Sequence, residues 1–143
     1  MPTHPSLLLI DDSPGERELF RQALLRTDLD VVLYAEHDAE AALHFLRHRE
    51  GLPALILLDW HLHHQRGDTF LKRLRAEVRL AAIPVVAFTT SDQAADLLAA
   101  YANEVNGYVV KPETFEDLVC CVGDICRYWL TRNRTPYCLE TPC

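Results

Sequence analysis

The sequence predicts a doubly wound α/β domain, a (βα)5 parallel sheet with strand order 2-1-3-4-5. Three observations carry the prediction. Five apolar runs begin near Leu7, Val31, Leu55, Val85 and Tyr108, at intervals of 23 to 30 residues. Segments of helical periodicity fill the intervals, the pattern of βαβ units with a sheet covered on both faces. Four of the runs also stop abruptly on polar residues: Leu7 to Ile10 on Asp11 and Asp12, Leu55 to Leu58 on Asp59, Val85 to Phe88 on Thr89, and Tyr108 to Val110 on Lys111.

Each element can be justified in turn. After the first run, Ser13 suits an N-cap, Pro14 the first helical position and Glu16 the first turn of a helix reaching Arg26. Its inward face is Leu19, Phe20, Ala23 and Leu24. Asp38 caps a second helix, Ala39 to His48, with Ala39, Ala42, Leu43 and Leu46 inside. A third spans Asp68 to Val78 on Phe70, Leu71, Leu74 and Val78; a fourth, alanine-rich, runs from Asp92 to Ala102 behind Ser91 as cap. The last is the longest: Phe115, Leu118, Val119, Val122, Ile125, Cys126, Trp129 and Leu130 recur at three- and four-residue steps. Cys120, Cys121 and Tyr128 make its opposite face unusually apolar, which suggests either a partner surface or a tail folded over it.

At 143 residues the chain fits one domain, read as 1–130, followed by a tail at 131–143. The net charge of −7 disfavours nucleic acid as a partner and fits a protein that holds cations. Without an apolar run of roughly 20 residues there is no membrane span to predict, and MPTHPS lacks a signal pattern. A cytoplasmic location is expected. The five cysteines, Cys120, Cys121, Cys126, Cys138 and Cys143, contain no CxxC pair and read mainly as small buried hydrophobes. A redox or intermolecular role for Cys138 and Cys143 is the alternative.

In a sheet of order 2-1-3-4-5 the crevice opens between the first and third strands, where the order reverses. Asp11 and Asp12 then stand on one side and Asp59 on the other. Adjacent carboxylates suit Mg²⁺, which prefers hard oxygen ligands, and without a cation or Lys111 they would repel. Thr89 offers a hydroxyl and Lys111 a positive charge, both matched to phosphoryl oxygens. A carboxylate can itself act as nucleophile and form an acyl phosphate. Each feature alone is ordinary at a strand end; their joint arrival at four strand ends is not.

These segments resemble the receiver domain of two-component response regulators, a flavodoxin-like fold. LLLIDDSPGERELF matches the first strand and acidic pair, LILLDWHLHHQRGDTFLKRLR the phosphoacceptor strand and its loop, PVVAFTTSD the switch-hydroxyl strand, and GYVVKPETFEDL the aromatic and Lys-Pro pair. The resemblance implies that Asp59 accepts a phosphoryl group from a histidine of a sensor kinase. It implies Mg²⁺ held by Asp12, by Asp11 through water, by Asp59 and by the backbone carbonyl of His61. Lys111 would pair with the phosphoryl oxygens, Thr89 would bond them and move, and Tyr108 would swing in behind. Lys111-Pro112 would be a cis peptide. His61 and Thr90 depart from the commonest residues at their places and flank the path of attacking water, so a changed, slower autodephosphorylation is expected. His63 also departs from the usual proline. His61, His63 and His64 are read as solvated loop residues rather than transition-metal ligands.

No output domain is expected after the last helix, so signalling is read as phosphorylation-dependent protein contact. CRYWLTRN resembles the receivers that partner phytochrome-type histidine kinases and end in a dimerising helix and arm. A homodimer through Cys121, Ile125, Tyr128 and Trp129 is expected. The chain is then no enzyme beyond its own phosphoryl transfer and autodephosphorylation. Of the competing readings, a haloacid-dehalogenase-type phosphatase needs an acid where His61 stands, and a flavin-binding protein needs a Ser/Thr-rich phosphate cradle where DDSPGER lies. A phosphorylation-independent pseudo-receiver would normally have lost one of the acids or the lysine, and all are present here.

Overall fold

A computed structural model describes residues 4–62 and 65–139. The elements follow as β1 (Ser6–Ile10), α1 (Pro14–Arg26), β2 (Val32–Glu36), α2 (Ala39–Arg47), β3 (Leu55–Leu58), β4 (His61–Leu62), β5 (Gln65–Arg66), α3 (Gly67–Ala76), β6 (Val85–Thr89), α4 (Ala94–Ala102), β7 (Gly107–Val110) and α5 (Phe115–Arg127). Five strands pair in parallel in the order β2-β1-β3-β6-β7. Setting aside the small antiparallel pair β4–β5, this is the predicted 2-1-3-4-5.

The period of two along each strand sorts the side chains into two cores. Leu8 and Ile10, Ile56 and Leu58, and Val85 and Ala87 face α2, α3 and α4, where they meet Leu43, Leu46, Phe70, Leu71 and Leu74. Leu7 and Leu9, Leu55 and Leu57, and Val86 and Phe88 face the other way, onto Phe20, Ala23 and Leu24 of α1 and Val122, Ile125 and Cys126 of α5. Strands buried on both faces explain why β1, β3 and β6 read as continuous apolar runs.

Several boundaries differ from the sequence reading. Helix α3 ends at Ala76, and Val78, expected inside, is 94% exposed. Leu19 of α1 is also mostly on the surface. Helix α4 begins at Ala94 rather than Asp92 and has Gln93 as its cap, because the Ser91 hydroxyl is engaged by Asp96 further along the chain. The β4–β5 hairpin was not foreseen; two-residue strands carry too little pattern to be seen.

The last helix does not run regularly to Leu130. Residues Tyr128–Arg132 form a π-helical turn, in which Asn133 N–H donates to the Tyr128 carbonyl at 2.7 Å and the Thr131 hydroxyl to the Arg127 carbonyl. A hydroxyl bonding back to its own helix competes with the regular ladder and loosens the last turn. Trp129 and Leu130 nonetheless pack on the α1–α5 core. The chain then crosses to the other face, where the Tyr137 hydroxyl donates to the Arg79 carbonyl at 2.9 Å and accepts from Ala82 N–H at 3.1 Å.

Candidate functional site

The strand ladders themselves aim the functional side chains. Asp11 N–H donates to the Glu36 carbonyl, Asp59 N–H to the Ile10 carbonyl and Lys111 N–H to the Thr89 carbonyl, at 3.1, 2.9 and 2.8 Å. Each residue is therefore held by one more rung beyond its strand, and its side chain leaves from a fixed backbone. Asp11 is tied further: its Oδ1 accepts from Ser13 N–H at 2.9 Å, and its carbonyl accepts from Arg17 Nη1 at 2.6 Å. Ser13, as expected, caps α1 by accepting from Glu16 N–H at 3.2 Å.

Asp11, Asp12 and Asp59 converge, with one carboxylate oxygen from each lying within 4.8 Å of the others. Lys111 Nζ donates to Asp11 Oδ2 at 2.6 Å and stands 3.6 Å from Asp59 Oδ2 and 3.8 Å from Glu16. Burial pushes the Asp59 carboxyl above its ordinary pKa and the charge of Asp11 adds to this, while Lys111 opposes it. Burial also works against the Lys111 ammonium, but its hydrogen bond to Asp11 and the charges of Asp59, Asp11 and Glu16 win and raise its pKa. The site thus gathers negative charge faster than its own residues neutralise it. Three hard oxygen donors at this spacing fit Mg²⁺ or Mn²⁺.

Thr89 is buried at the end of β6, and Tyr108, half-buried on β7, donates to the Ser91 carbonyl at 2.8 Å. Thr90 is exposed beside them. His61 N–H donates to Asp59 Oδ1 at 3.2 Å, whereas its ring Nε2 meets Asp96 Oδ2 of α4 at 2.7 Å. His63, His64 and Cys143, and the side chain of Cys138, lie outside the described residues. Lys111–Pro112 is trans, not cis, as the resemblance implied; the two isomers of such a bond differ by only about 1 kcal/mol, and Lys111 reaches Asp11 from the trans form.

Arg17 and Asp96, beside the site, were missed because nothing in a single sequence marks a polar residue on a helix as facing a loop, and Ser91 was read only as a helix cap. Trp60 was also missed as a packing element. It is fully buried between Asp59 and β4, and a Cβ on Gly67 would fall 2.6 Å from its ring. The glycine that opens α3 leaves room for the indole ring against the backbone. At the proposed dimer surface, Tyr128 is exposed and Cys121 and Trp129 half-buried, but Ile125 is 7% exposed in the protomer's own core and offers little to a second chain.

The response regulator receiver domain profile matches residues 7–122. The chain belongs to this family: it is a receiver-domain response regulator. It is 40% identical over 134 residues to the probable methanogenesis regulatory protein FilR2 of Methanothrix harundinacea, covering 91% of this chain and 86% of that one. It is 33% identical to the response regulator Rcp1 of Synechocystis, covering 91% and 92%. Among solved structures, phosphorylated RcpA, a cyanobacterial phytochrome response regulator, superposes with a TM-score of 0.84 at 27% identity, covering 94% of this chain and 99% of that one. The Mn²⁺-bound form of Rcp1 superposes with a TM-score of 0.79 at 32% identity, covering 92% and 99%. Receiver domains hold a divalent cation in such an acidic pocket and partner with sensor histidine kinases. Among the described residues, no helix is long and apolar enough to cross a membrane.

Proposed function

We propose that Asp59 accepts a phosphoryl group from a phosphohistidine of a sensor histidine kinase of the phytochrome type, in the cytoplasm. The observation that carries this reading is the convergence of the Asp11, Asp12 and Asp59 carboxylates, with the Lys111 ammonium bonded to Asp11 and 3.6 Å from Asp59. In the transfer, an Asp59 carboxylate oxygen bonds to phosphorus as the bond from phosphorus to the imidazole nitrogen breaks, and the histidine leaves with its electron pair. Asp12, Asp59, the backbone carbonyl of His61 and, through water, Asp11 would hold Mg²⁺, which would supply positive charge to the phosphoryl oxygens. Lys111 gives up part of its hold on Asp11 to pair with one of those oxygens. Thr89 donates its hydroxyl to another, and Tyr108 follows into the space behind it.

Release is autodephosphorylation, with water attacking phosphorus past His61 and Thr90; the exposed Thr90 side chain narrows that approach and slows it. Likeness to Rcp1 and to RcpA supports the phytochrome-type partner. The chain acts as a receiver at 1–130 with the tail at 131–143 as a dimerisation arm, and Tyr128, Trp129 and Cys121 supply the apolar contact with a second copy. Sedimentation of the full chain as a dimer, and of a chain ending at Arg127 as a monomer, is the expected result; equal profiles would remove the arm from the reading.

The decisive experiment is incubation with acetyl phosphate and Mg²⁺, read on a phosphate-affinity mobility gel beside Asp59→Asn. Wild type should show a retarded band that the variant lacks. A band that persists in Asp59→Asn places the acceptor elsewhere, and no band in either chain ends the proposal.

A further inference from the structure

We propose that His44 and His48, at the C-terminal end of α2, form a chelating site for a late first-row divalent ion (Ni²⁺, Cu²⁺ or Zn²⁺), separate from the carboxylate site. The run His44-Phe45-Leu46-Arg47-His48 sets two imidazoles four residues apart, which on a helix makes them neighbours on one face. Their ring centroids lie 4.2 Å apart, with the planes tilted by 34°. Phe45 and Leu46 between them pack toward the core, whereas both histidines are exposed.

One ring is already oriented as a ligand. His48 Nδ1 meets the His44 carbonyl at 2.8 Å. A carbonyl only accepts, so Nδ1 carries the proton and the neutral ring keeps its Nε2 lone pair for a metal. Ligating histidines are commonly held in this way, by a backbone oxygen on the second nitrogen. The His44 ring makes no hydrogen bond among the described residues and is free to turn its own nitrogen toward the same ion. The site also lies where a helix exposes its last carbonyls and favours positive charge. The neighbouring cations are committed elsewhere: Arg47 pairs with Glu77, and Arg49 donates to the Gly51 carbonyl at 2.7 Å and stacks on Tyr34 and Phe45.

The carboxylates belong to the other end of this helix. Asp38, which caps its start, lines one cavity with Asp12, and the nine residues of α2 span about 14 Å. The two sites also differ in chemistry. Mg²⁺ keeps to hard oxygens, whereas the later metals suit imidazole nitrogen, so one chain can hold both ions at once. Two ligands from the protein leave the remaining positions on the ion to water.

Ni²⁺ titrated by calorimetry into the full chain, with Mg²⁺ in excess to occupy the acids, tests the site. Wild type should bind one Ni²⁺ that His44→Ala and His48→Ala each weaken roughly a hundredfold, because either change reduces a chelate to a single ligand. The double variant should lose little more. His61→Ala, Asp59→Asn and Cys120→Ser should leave the affinity of this ion unchanged. No Ni²⁺ binding by wild type overturns the proposal, as does a loss in only one of the two α2 variants, which would mean a single ligand. Binding that survives in both and disappears in His61→Ala places the ion on the phosphoacceptor loop and overturns it too. None of these outcomes bears on Asp59 as phosphoacceptor, which the acetyl phosphate assay tests separately.

Discussion

At the C-terminal end of the sheet three carboxylates face one ammonium; at the N-terminal end one guanidinium faces four oxygen acceptors. Arg75, at the end of α3, donates through Nη1 to the carbonyls of Ala81 and Ile83 at 2.9 and 2.7 Å, and through Nη2 to the Glu104 carbonyl and Asn106 Oδ1 at 3.1 and 3.0 Å. Asn106 Oδ1 also accepts from Val85 N–H at 2.8 Å, extending the sheet by a side-chain rung. Tyr137 seals the neighbouring turn. The lower end satisfies its polar groups and rests. The upper end leaves negative charge uncompensated, which opposes folding but draws in a cation and a phosphoryl group. The two ends together teach that this fold separates what holds it from what it does.

The largest test of that contrast is Arg75→Ala. Three carbonyls lose the Arg75 donor, while Asn106 Oδ1 keeps Val85 N–H, in a half-buried place where burial already disfavours the guanidinium charge. Unpaired buried acceptors cost about 1–3 kcal/mol each when water cannot replace the donor, and partial solvent access here brings the expected total to about 2–3 kcal/mol. Urea unfolding should show the midpoint falling with an unchanged slope. A loss below about 0.5 kcal/mol, the range of ordinary surface substitutions, would mean water serves those carbonyls as well as Arg75 does.

The same substitution logic at the upper end should give the opposite sign. Because the folded-state pKa of Asp59 is raised, chiefly by burial, the folded chain holds that proton more tightly than the unfolded chain. Its contribution to stability is complete below the unfolded value of about 4 and is lost as pH rises through the folded value. Asp59→Asn, in chelator, should therefore be more stable than wild type at pH 7, with the difference closing as pH falls to about 4. A variant less stable than wild type at neutral pH would show that attraction to Lys111 outweighs desolvation.

How much of this was legible beforehand divides along the same line. The apolar runs and the polar residue ending each one were enough to read strand order and the gathering of Asp11, Asp12, Asp59, Thr89 and Lys111, because a strand that ends at a sheet edge delivers its next side chain there. What the sequence could not reveal were contacts made across elements. His61 to Asp96 spans 35 residues and Tyr137 to Arg79 spans 58, and no periodicity encodes such pairs. Spacing put Ile125 in the inward set of α5 and Tyr128 on the opposite face, where the structure has them, yet the dimer surface was read across both. The loosened turn at Tyr128–Arg132 arises from one hydroxyl, Thr131, bonding backward.

The smallest expected effect concerns strain, which here sits at helix exits of the resting end. Glu104 has φ 67° and Asp28 has φ 59°. Glu104 follows α4 in the position where helices commonly place glycine: Val105 N–H returns to the Ala100 carbonyl at 3.2 Å and Glu104 N–H to the Tyr101 carbonyl at 3.1 Å, with Val105 and Ala100 both buried. The left-handed conformation costs a residue with a Cβ about 1–2 kcal/mol, part of which glycine returns as lost chain entropy. Glu104→Gly should therefore stabilise the fold by about 0.5–1 kcal/mol, since the bond from Arg75 goes to the backbone carbonyl and survives. Asp28→Gly should gain less, because a short polar side chain tolerates this region better than glutamate does. Equal gains at both positions would show that backbone strain alone sets the cost, whereas a loss on Glu104→Gly would show that the glutamate side chain itself helps hold the lower end closed through its attraction to Arg75.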